Sequence, residues 1–530
     1  MTSFPRQHLD RLLFLLVLPF GLVSGAQMPT SQVNNARTGA NLNETVLTPQ
    51  NVNPQQFGKL FSFKVDGDVY AQPLFLAGVD IPSKGRHDVL FIATEHDSVY
   101  AFDAYGNPSA PLWQVSLLKD EDTPVPERDT ACFFISPEVG ITSTPVIDTK
   151  TGTLYVLART KKGHLVSSNE YHQHLHALAI TNGVEKFGGP VEIQASVNGK
   201  GDGTSGGMVA FDPLRENPRA ALLLSHGNVY LSWASSCDVG PYHGWVMAYD
   251  AQTLKQKGVI NVSPDADDGG IWASDTGLAA DTAGNVYAAT GNGRFDASQG
   301  GRDYGDTLLK MNLSGGGLAV ADYFTPFNAD QLNSEDNDLG SGGPMLLPDQ
   351  PGPHPHLAVI GGKGSLIYLI DRDRMGHFQS GSNSHAVQTI PARGGIFGSM
   401  AYWNHHLFVL SDSDNLRDYD LSNGTLKYHA ASTFSLRDHA ATPAVSVNGA
   451  KDGIVWVVSS KGWDSPARTA VLHAADASNI AHELYNSEQN SARDRAGLGL
   501  RFNIPTIVNG HVYIGAKREV DVYGLLPAAH

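Results

Sequence analysis

The chain repeats one unit of short strands eight times, and this repeat limits its possible folds more than any other feature of the sequence. Each unit begins with small residues and often a proline, and continues through a β-branched strand, a turn, a strand rich in Val, Leu and Tyr, and a strand of the Tyr-Ala-Phe-Asp type. The eight starts are residues 69–73, 140–145, 205–208, 274–278, 340–344, 395–400, 438–443 and 503–505. Such self-similarity indicates a repeat architecture in which each unit buries its apolar faces against its neighbours.

The prolines indicate where the first strand of each unit lies. Proline has no N–H to donate to a sheet and is confined to edges, strand starts and bulges, so Pro73, Pro145 and Pro344 mark a strand at the edge of its unit. Small residues before these strands suit a place where several strands converge on an axis. We therefore predict an all-β fold, an eight-bladed β-propeller of four-stranded antiparallel blades around a central channel.

The two ends of the chain predict how the ring closes. The last unit supplies three strands and stops at residues 520–526, whereas an unpaired strand, residues 58–63, precedes the first unit. Pairing these segments would complete the eighth blade and remove the exposed sheet edges. We therefore expect a propeller over residues 58–530, closed by an N-terminal strand and preceded by an N-terminal extension over residues 27–57.

Residues 1–26 have the layout of a secretory signal peptide. Arg6 and Arg11 precede an apolar run over residues 12–20, and small residues close the segment at Ala26. This run is shorter than the about 20 residues of a membrane-spanning helix, and no later apolar stretch reaches that length. We expect a mature protein that begins near Gln27, is secreted or periplasmic, has no membrane span and is monomeric.

Charge and composition exclude some classes of partner. The sequence has 37 Lys and Arg residues against 53 Asp and Glu residues, so its formal charge is −16 and nucleic acid is not an expected partner. Charged residues make up 17% and hydrophobic residues 41% of the chain, which is typical of a folded protein rather than a disordered one. No nucleophile elbow or phosphate-binding loop supports a hydrolase or a nucleotide-binding protein.

The long segments between the predicted strands belong to one face of the propeller. In each blade, the loop from the second to the third strand and the loop from the outer strand to the next blade emerge on the same face. The long segments of these two kinds are residues 118–139, 161–173, 184–204, 234–244, 255–273, 291–304, 313–339, 374–394 and 460–470. Because rigid scaffolds usually carry function on such loops, we place the functional site on this loop-rich face.

Polar residues at the inner-strand starts and in the turns of the loop-rich face are the candidates for ligand binding. The convergence of eight blades would bring some of them to the axial mouth, where acids, bases and histidines can hold a small polar ligand. The candidates are His96, Asp97, Glu138, Thr142, Asp275, Lys363, Arg437, Asp438, His439, Arg501 and Lys517. The alternative is a water-filled channel in which these groups are structural.

Two groups of side chains suggest metal ions. Glu335, Asp336 and Asp338 concentrate the hard oxygen donors that calcium prefers, although their loop lacks the spacing of an EF-hand. A solvated acidic loop is the alternative. Residues 172, 174 and 176 are histidines that alternate at the period of a strand and so share one face, either as metal ligands or as surface histidines.

Cys132 and Cys237 are the only cysteines. Two cysteines cannot form a disulfide framework or a four-cysteine zinc site, and their spacing excludes a Cys-x-x-Cys-His haem attachment motif. Both lie in predicted loops of the loop-rich face, so one disulfide between them is geometrically possible. Two separate free thiols are the alternative.

The repeat units resemble the blades of quinoprotein alcohol dehydrogenase-like propellers, which bind pyrroloquinoline quinone on the axis. The resemblance covers nearly the whole mature chain and begins with the strand at residues 99–103 and the following Trp113. The stretches most similar to secreted bacterial members without an assigned activity are residues 140–145, 242–245, 291–293, 338–343 and 472–476. The resemblance implies the propeller fold.

The resemblance is incomplete at the cofactor site. Quinone alcohol dehydrogenases of this family carry two adjacent cysteines over the cofactor, whereas Cys132 and Cys237 are far apart in this sequence, and the Asp-x-x-Thr-Gly-x-x-x-Trp docking repeats are mostly degraded. The calcium ligands and the catalytic aspartate of the family cannot be transferred to this sequence residue by residue. If a quinone bound with calcium, Trp272 would stack on it and Asp275 would act as the base, because both open an inner strand; ordinary packing and a turn carboxylate are the alternatives. We expect a module that binds a small polar ligand or an extracellular protein, with a quinone-dependent dehydrogenase of sugars or alcohols as the alternative.

Overall fold

A computed structural model describes residues 27–163, 170–274, 276–436, 442–460, 465 and 467–527, which form a ring of eight antiparallel blades. The predicted eight-bladed β-propeller is therefore confirmed. Three strands precede the ring in the chain: β1 (Gln27–Met28), β2 (Ala40–Asn41) and β3 (Phe57–Lys64).

The first four blades follow in chain order, each built outward from a short strand at the axis. The first blade contains β4 (Leu74–Ile81), β5 (Gly85–Ala93), β6 (Ser98–Asp103) and β7 (Trp113–Ser116). An insertion with β8 (Asp122–Pro126), α1 (Glu127–Thr130) and β9 (Glu138–Val139) follows it. The second blade contains β10 (Val146–Asp148), β11 (Thr153–Lys162), β12 (Glu170–Ala179) and β13 (Val191–Glu192). The hairpin of β14 (Ser196–Asn198) and β15 (Met208–Ala210) leads to the third blade, which contains β16 (Glu216–Asn217), β17 (Leu223–Ser225), β18 (Asn228–Ser235), β19 (Trp245–Asp250) and β20 (Gln256–Asn261). The fourth blade contains β21 (Ala279–Ala280), β22 (Val286–Ala289), β23 (Leu308–Ser314) and β24 (Gly317–Thr325).

The last four blades are more regular. The fifth blade follows the short helix α2 (Ala329–Ser334) and contains β25 (Met345–Leu346), β26 (Leu357–Gly361), β27 (Leu366–Asp371) and β29 (Gln388–Pro391), whereas β28 (His377–Phe378) pairs with β24. The sixth blade contains β30 (Ala401–Trp403), β31 (His406–Val409), β32 (Asp414–Ser422) and β33 (Thr425–Leu436), and the seventh contains β34 (Ala444–Asn448), β35 (Lys451–Ser459), β36 (Val471–Asp476) and β37 (Asn479–Asn486). The eighth blade follows α3 (Ser491–Asp494) and contains β38 (Thr506–Val508), β39 (His511–Ala516) and β40 (Glu519–Leu525). In the described residues, 3₁₀ turns lie at Ala297–Gln299 and Leu339–Ser341.

Seven of the eight predicted unit starts lie directly before an inner strand, and the third does not. The inner strand of the third blade is β17, whereas residues 205–208 lie at the β14–β15 hairpin. The prediction was wrong there because the glycine-rich stretch around Gly206 and Gly207 has the small residues of a unit start but forms a turn, with both glycines at positive φ. The insertion before this blade is therefore longer than the predicted one.

The ring closes as predicted. Strand β3 pairs antiparallel with β40, from Phe57 opposite Leu525 to Lys64 opposite Glu519, and so supplies the outer strand of the eighth blade. Phe57 packs between neighbouring blades, with its ring centroid 5.5 Å from that of Trp456 and 6.4 Å from that of Tyr523. The N-terminal strand thus joins the two ends of the chain in one sheet and one core.

The apolar core is divided among the interfaces between blades. Both faces of a strand such as β18 are buried, so these strands read as nearly continuous apolar runs. One cluster of buried apolar side chains lies between each pair of adjacent blades, which gives eight clusters around the ring. Every blade is therefore held by its two neighbours.

The N-terminal extension lies across the axial channel. Its carbonyl groups accept hydrogen bonds from the N–H groups of Ala280, Leu346 and Tyr402 in three successive inner strands, while β1 pairs with β4 and β2 pairs with β34. Arg37 is fully buried there and donates to the carbonyls of Leu222 and Leu278. The contacted residues all lie within two positions of the first residue of an inner strand. The extension therefore closes the channel beneath the residues that precede these strands on the loop-rich face.

Candidate functional site

An axial cavity opens on the loop-rich face, with an empty volume of about 710 Å³. Residues that precede six of the eight inner strands line it, together with the turn after β18 and the residue after β26. The lining is Thr130, Cys132, Phe134, Ile135, Val139, Asn217, Arg219, Ser235, Ser236, Cys237, Asp238, Trp272, Ser274, Asp338, Ser341, Lys363, Phe397, Arg501 and Phe502. The cavity is thus built by the convergence of blades that lie far apart in the sequence.

One wall of the cavity joins two guanidinium groups to aromatic rings. The guanidinium carbon atoms of Arg219 and Arg501 both lie 5.0 Å from the ring centroid of Phe502, and that of Arg501 lies 4.5 Å from the ring of Phe134. Both arginines are only 7% exposed. The Nε of Arg219 is buried and has no hydrogen-bond partner among the described residues. This wall therefore presents buried positive charge to the cavity.

Another part of the cavity lining holds an ammonium group between two carboxylates. Lys363 Nζ lies 2.5 Å from Asp338 Oδ2 and 2.7 Å from Asp336 Oδ1, and the Asn292 backbone N–H donates to Asp338 Oδ1 at 2.7 Å. Burial raises the pKa of Asp338 although Lys363 lowers it, whereas for Lys363 the two carboxylates outweigh burial and raise the pKa. Glu335 is exposed and binds Gln331, so it stands outside this arrangement.

Trp272 and a disulfide also line the cavity. Trp272 makes an edge contact with Tyr242, at 6.5 Å between ring centroids, and its indole Nε1 is buried without a hydrogen-bond partner in the described part of the chain. Cys132 and Cys237 are joined by a disulfide with a Cα–Cα distance of 5.6 Å. This bond ties the insertion before the second blade to the turn after β18.

The insertion that carries Cys132 is anchored by a small apolar cluster of its own. Val125, Ile135 and Val139 pack there with Tyr70 and Leu500. The insertion is therefore held over the cavity by packing at its base and by the disulfide.

The structure brings only some of the predicted ligand residues to the cavity. Lys363, Arg501 and Trp272 line it, whereas His96 and Glu138 form a pair at 2.8 Å, Nδ1 to Oε1, in a separate groove with Lys161. The predicted sites Asp275, Arg437, Asp438 and His439 lie outside the described residues. The cavity therefore shares part of its lining with the predicted set.

Thr142 lies in a buried acidic group beside the axis. Its hydroxyl and the backbone N–H of Gly140 donate to Glu95 Oε2 at 3.1 and 2.7 Å. Burial raises the pKa of Glu95 to about 8 against these hydrogen bonds, and burial together with Glu95 raises the pKa of Asp97 well above its usual range. With a pKa of about 8, Glu95 is mostly protonated at neutral pH, so it supplies polarity with little negative charge.

The three alternating histidines remain apart from one another in the structure. His172 and His176 each pair with a glutamate, and the ring of His174 lies 5.9 and 6.2 Å from its two neighbours. Burial lowers the pKa of His174 to about 4. The three rings share one face of β12, as the alternation predicted, but the outer two are directed to glutamates.

Sequence reasoning missed most of the guanidinium and aromatic wall. Arg501 was among the predicted residues, but Arg219, Phe397 and Phe502 were not. These three come from three different units, and although Phe397 lies in the unit start at residues 395–400, its ring was not singled out. Their shared position directly before an inner strand was the one signal that could have found them.

Comparison with known proteins supports the fold. No family model and no curated protein matches the chain. A solved quinohemoprotein alcohol dehydrogenase from Pseudomonas putida HK5 is similar, with a TM-score of 0.63 and 14% identity over 95% of this chain and 81% of that chain. A europium-containing methanol dehydrogenase has a TM-score of 0.60 and 14% identity over 94% of this chain and 98% of that chain. The predicted resemblance to quinoprotein alcohol dehydrogenase-like propellers is thus confirmed for the fold.

The described residues contain no helix that is long and apolar enough to cross a membrane.

Proposed function

We propose that the protein is a binding propeller whose axial cavity holds a small anionic ligand with a planar body. The observation that carries this proposal is Arg219, a guanidinium that is 7% exposed and whose Nε has no hydrogen-bond partner among the described residues. A buried charge is costly unless it is paired. A carboxylate in the cavity would accept from Arg219 and so compensate that cost.

The aromatic side chains support a planar ligand body. Phe397 and Phe502 lie nearly parallel, with 6.5 Å between centroids and 26° between planes, and the guanidinium of Arg219 lies over Phe502. Flat rings and planar guanidinium groups favour stacking with another flat group.

A quinone-dependent dehydrogenase is the second candidate, because Trp272 and the Cys132–Cys237 disulfide both line the cavity. A planar quinone carboxylate fits the guanidinium and aromatic wall. Calcium beside it does not fit the present side chains, because the ammonium of Lys363 occupies the space between Asp336 and Asp338. No group of three carboxylate or imidazole ligands converges on this cavity among the described residues.

Export to an oxidising compartment is part of the proposal. Disulfides persist in secreted and periplasmic proteins and are rare in the cytosol. The bond between Cys132 and Cys237 therefore supports the interpretation of residues 1–26 as a signal peptide. The proposal keeps residues 27–57 as the extension and residues 58–530 as the propeller.

Calorimetric titration with phthalate, a planar dicarboxylate, tests the proposal. We expect saturable binding by the protein and weaker binding by the Arg219→Gln variant, by roughly tenfold or more, because a charge-assisted hydrogen bond is lost. Phthalamide, which has the same shape without charge, should bind weakly to both. Arg302→Gln is the matched control, since Arg302 lies on the same face but outside the cavity and pairs with Asp265.

Two outcomes would contradict the proposal. One is equal affinity for phthalate and phthalamide, which would show that charge is not recognised. The other is an equal loss in the Arg302→Gln variant, which would place the anion elsewhere on the surface.

A separate assay distinguishes the second candidate. Pyrroloquinoline quinone is added with and without calcium, and oxidation of sugars and alcohols is followed with a redox dye. Quinone binding without turnover in either condition agrees with the binding propeller. Saturable turnover would replace it with the dehydrogenase.

A further inference from the structure

We propose that His406, Asp418 and His429 form a binding site for a divalent transition-metal ion, with Zn²⁺ as the best match. The three residues lie on successive strands of the sixth blade, β31, β32 and β33. They are separate from the axial cavity, so this site does not depend on the proposed ligand there.

The two imidazoles converge on one carboxylate. His406 Nδ1 lies 2.9 Å and His429 Nδ1 lies 2.8 Å from Asp418 Oδ2, and His406 Nδ1 is also 3.0 Å from Oδ1. All three potential ligand atoms lie within 4.8 Å of one another. Asp418 is only 3% exposed, whereas the side chain of His429 is 47% exposed. The group thus combines a buried carboxylate with an imidazole that is open to solvent.

A β-bulge directs His429 toward this group. Asp418 pairs with Ala430, but the next residue, Tyr419, pairs with Tyr428, so His429 has no partner in the register. Bulges re-aim side chains relative to a regular strand. Without the bulge, alternation alone would not set His429 beside the carboxylate that His406 already contacts from β31.

The donor set has the chemistry of a zinc site. Zn²⁺ binds imidazole nitrogen and carboxylate oxygen at about 2.0 to 2.2 Å in tetrahedral geometry, which separates neighbouring ligand atoms by about 3.3 Å. The nitrogen–oxygen separations of 2.8 to 3.0 Å would have to widen by a few tenths of an ångström to admit the ion, and the ligand atoms of the two imidazoles already lie within 4.8 Å of each other. Water would take the fourth position on the exposed side of His429.

The other histidines in the described residues lack this convergence. His473 Nδ1 contacts Glu483 Oε1 at 2.8 Å in the next blade, but a second imidazole does not join that pair. Among the described residues, the group at His406 is the only one in which three such ligand atoms come together. His473 therefore serves as a matched control, with the same hydrogen bond and a single imidazole.

The test is a titration of chelator-treated full-length mature protein with ZnCl₂, followed by calorimetry, and with CoCl₂, followed by visible absorbance. We expect one tight equivalent of Zn²⁺, a visible d–d band from Co²⁺, and a Zn²⁺-dependent rise in melting temperature. The His429→Ala variant should lose the band and the tight equivalent, with affinity lower by roughly tenfold or more. The His473→Ala variant should retain both.

The folding of each variant is checked by circular dichroism, and His406→Gln is a second variant should His429→Ala not fold. A histidine pair that only hydrogen bonds to Asp418 predicts no tight equivalent and no Co²⁺ band in the unaltered protein. That result would overturn the proposal. An equal loss of binding in the His473→Ala variant would overturn it as well, since it would indicate unspecific binding to surface histidines.

Discussion

Glu95 is the buried acid that accepts hydrogen bonds from Thr142 and Gly140 beside the axis. It is 1% exposed, and Asp68 raises its pKa further while Arg219 lowers it. With its pKa raised from 4.5 to about 8, the folded protein retains a proton that the unfolded chain has already released at neutral pH. This group therefore makes stability fall as the pH rises between those two values.

The Glu95→Gln variant tests this pH dependence. Relative to the unaltered protein, its free energy of unfolding should increase with pH from about 5 to about 8, by at most about 1.4 kcal/mol per pH unit, and then stay constant. Urea unfolding at several pH values measures the difference. Glu121→Gln, at an exposed position on the same face, should show no such trend. A difference for Glu95→Gln that does not vary with pH would refute the account.

At the scale of elements, the insertion before the second blade is the part most dependent on a single covalent bond. Its base packs in a small cluster around Ile135 and Val139, and its far end is tied to the third blade by the disulfide. The insertion is also held by the pairing of β8 with β11 and by the ion pair of the buried Lys161 with Asp129. The disulfide therefore preorganises one side of the candidate site.

Peptide mapping of the unreduced protein should give one linked pair, Cys132 with Cys237, and an N-terminal peptide that begins near Gln27. The double variant Cys132→Ser, Cys237→Ser should lower the free energy of unfolding by about 2 to 4 kcal/mol, because the bond closes a long loop in the unfolded chain. Two alkylatable thiols in fully denatured, unreduced protein would rule out the bridge.

At the scale of the whole molecule, the N-terminal segment holds the ring together in two ways. Residues of the extension contact inner strands across the channel, and β3 completes the eighth blade. Residues 27–64 fill both roles, so the ring closes only when the two ends of the propeller meet.

Deletion of residues 27–63 should therefore lower the melting temperature sharply, because it leaves an open sheet edge and removes the segment across the channel. Adding this segment back as a separate peptide should restore part of the loss. Melting curves from circular dichroism measure both effects. An unchanged melting temperature after the deletion would count against closure.

The fold was predictable from the sequence because each blade repeats the same local signals. Pro73, Pro145 and Pro344 marked inner strands, and the unpaired strand at residues 58–63 identified its partner. The third start was misplaced because Gly206 and Gly207 imitate a unit start at a hairpin. Local composition thus predicts the strands of the blades but not the length of each insertion between them.

The candidate site was less predictable, because it depends on convergence rather than on motifs. Lys363 and Arg501 were found as polar residues at strand ends, but Arg219 and Phe502 meet only after the ring has closed. His429 joins His406 through a bulge whose register the sequence does not reveal. Contacts between distant units require the three-dimensional arrangement of the blades.

The most direct test of the central claim is a crystal structure of the protein with bound phthalate. The account predicts the ligand in the axial cavity, with a carboxylate oxygen accepting a hydrogen bond from Arg219 Nε and the ring beside Phe502. Phthalate bound only outside the cavity, or a cavity in which Arg219 pairs with another side chain of the protein, would contradict it.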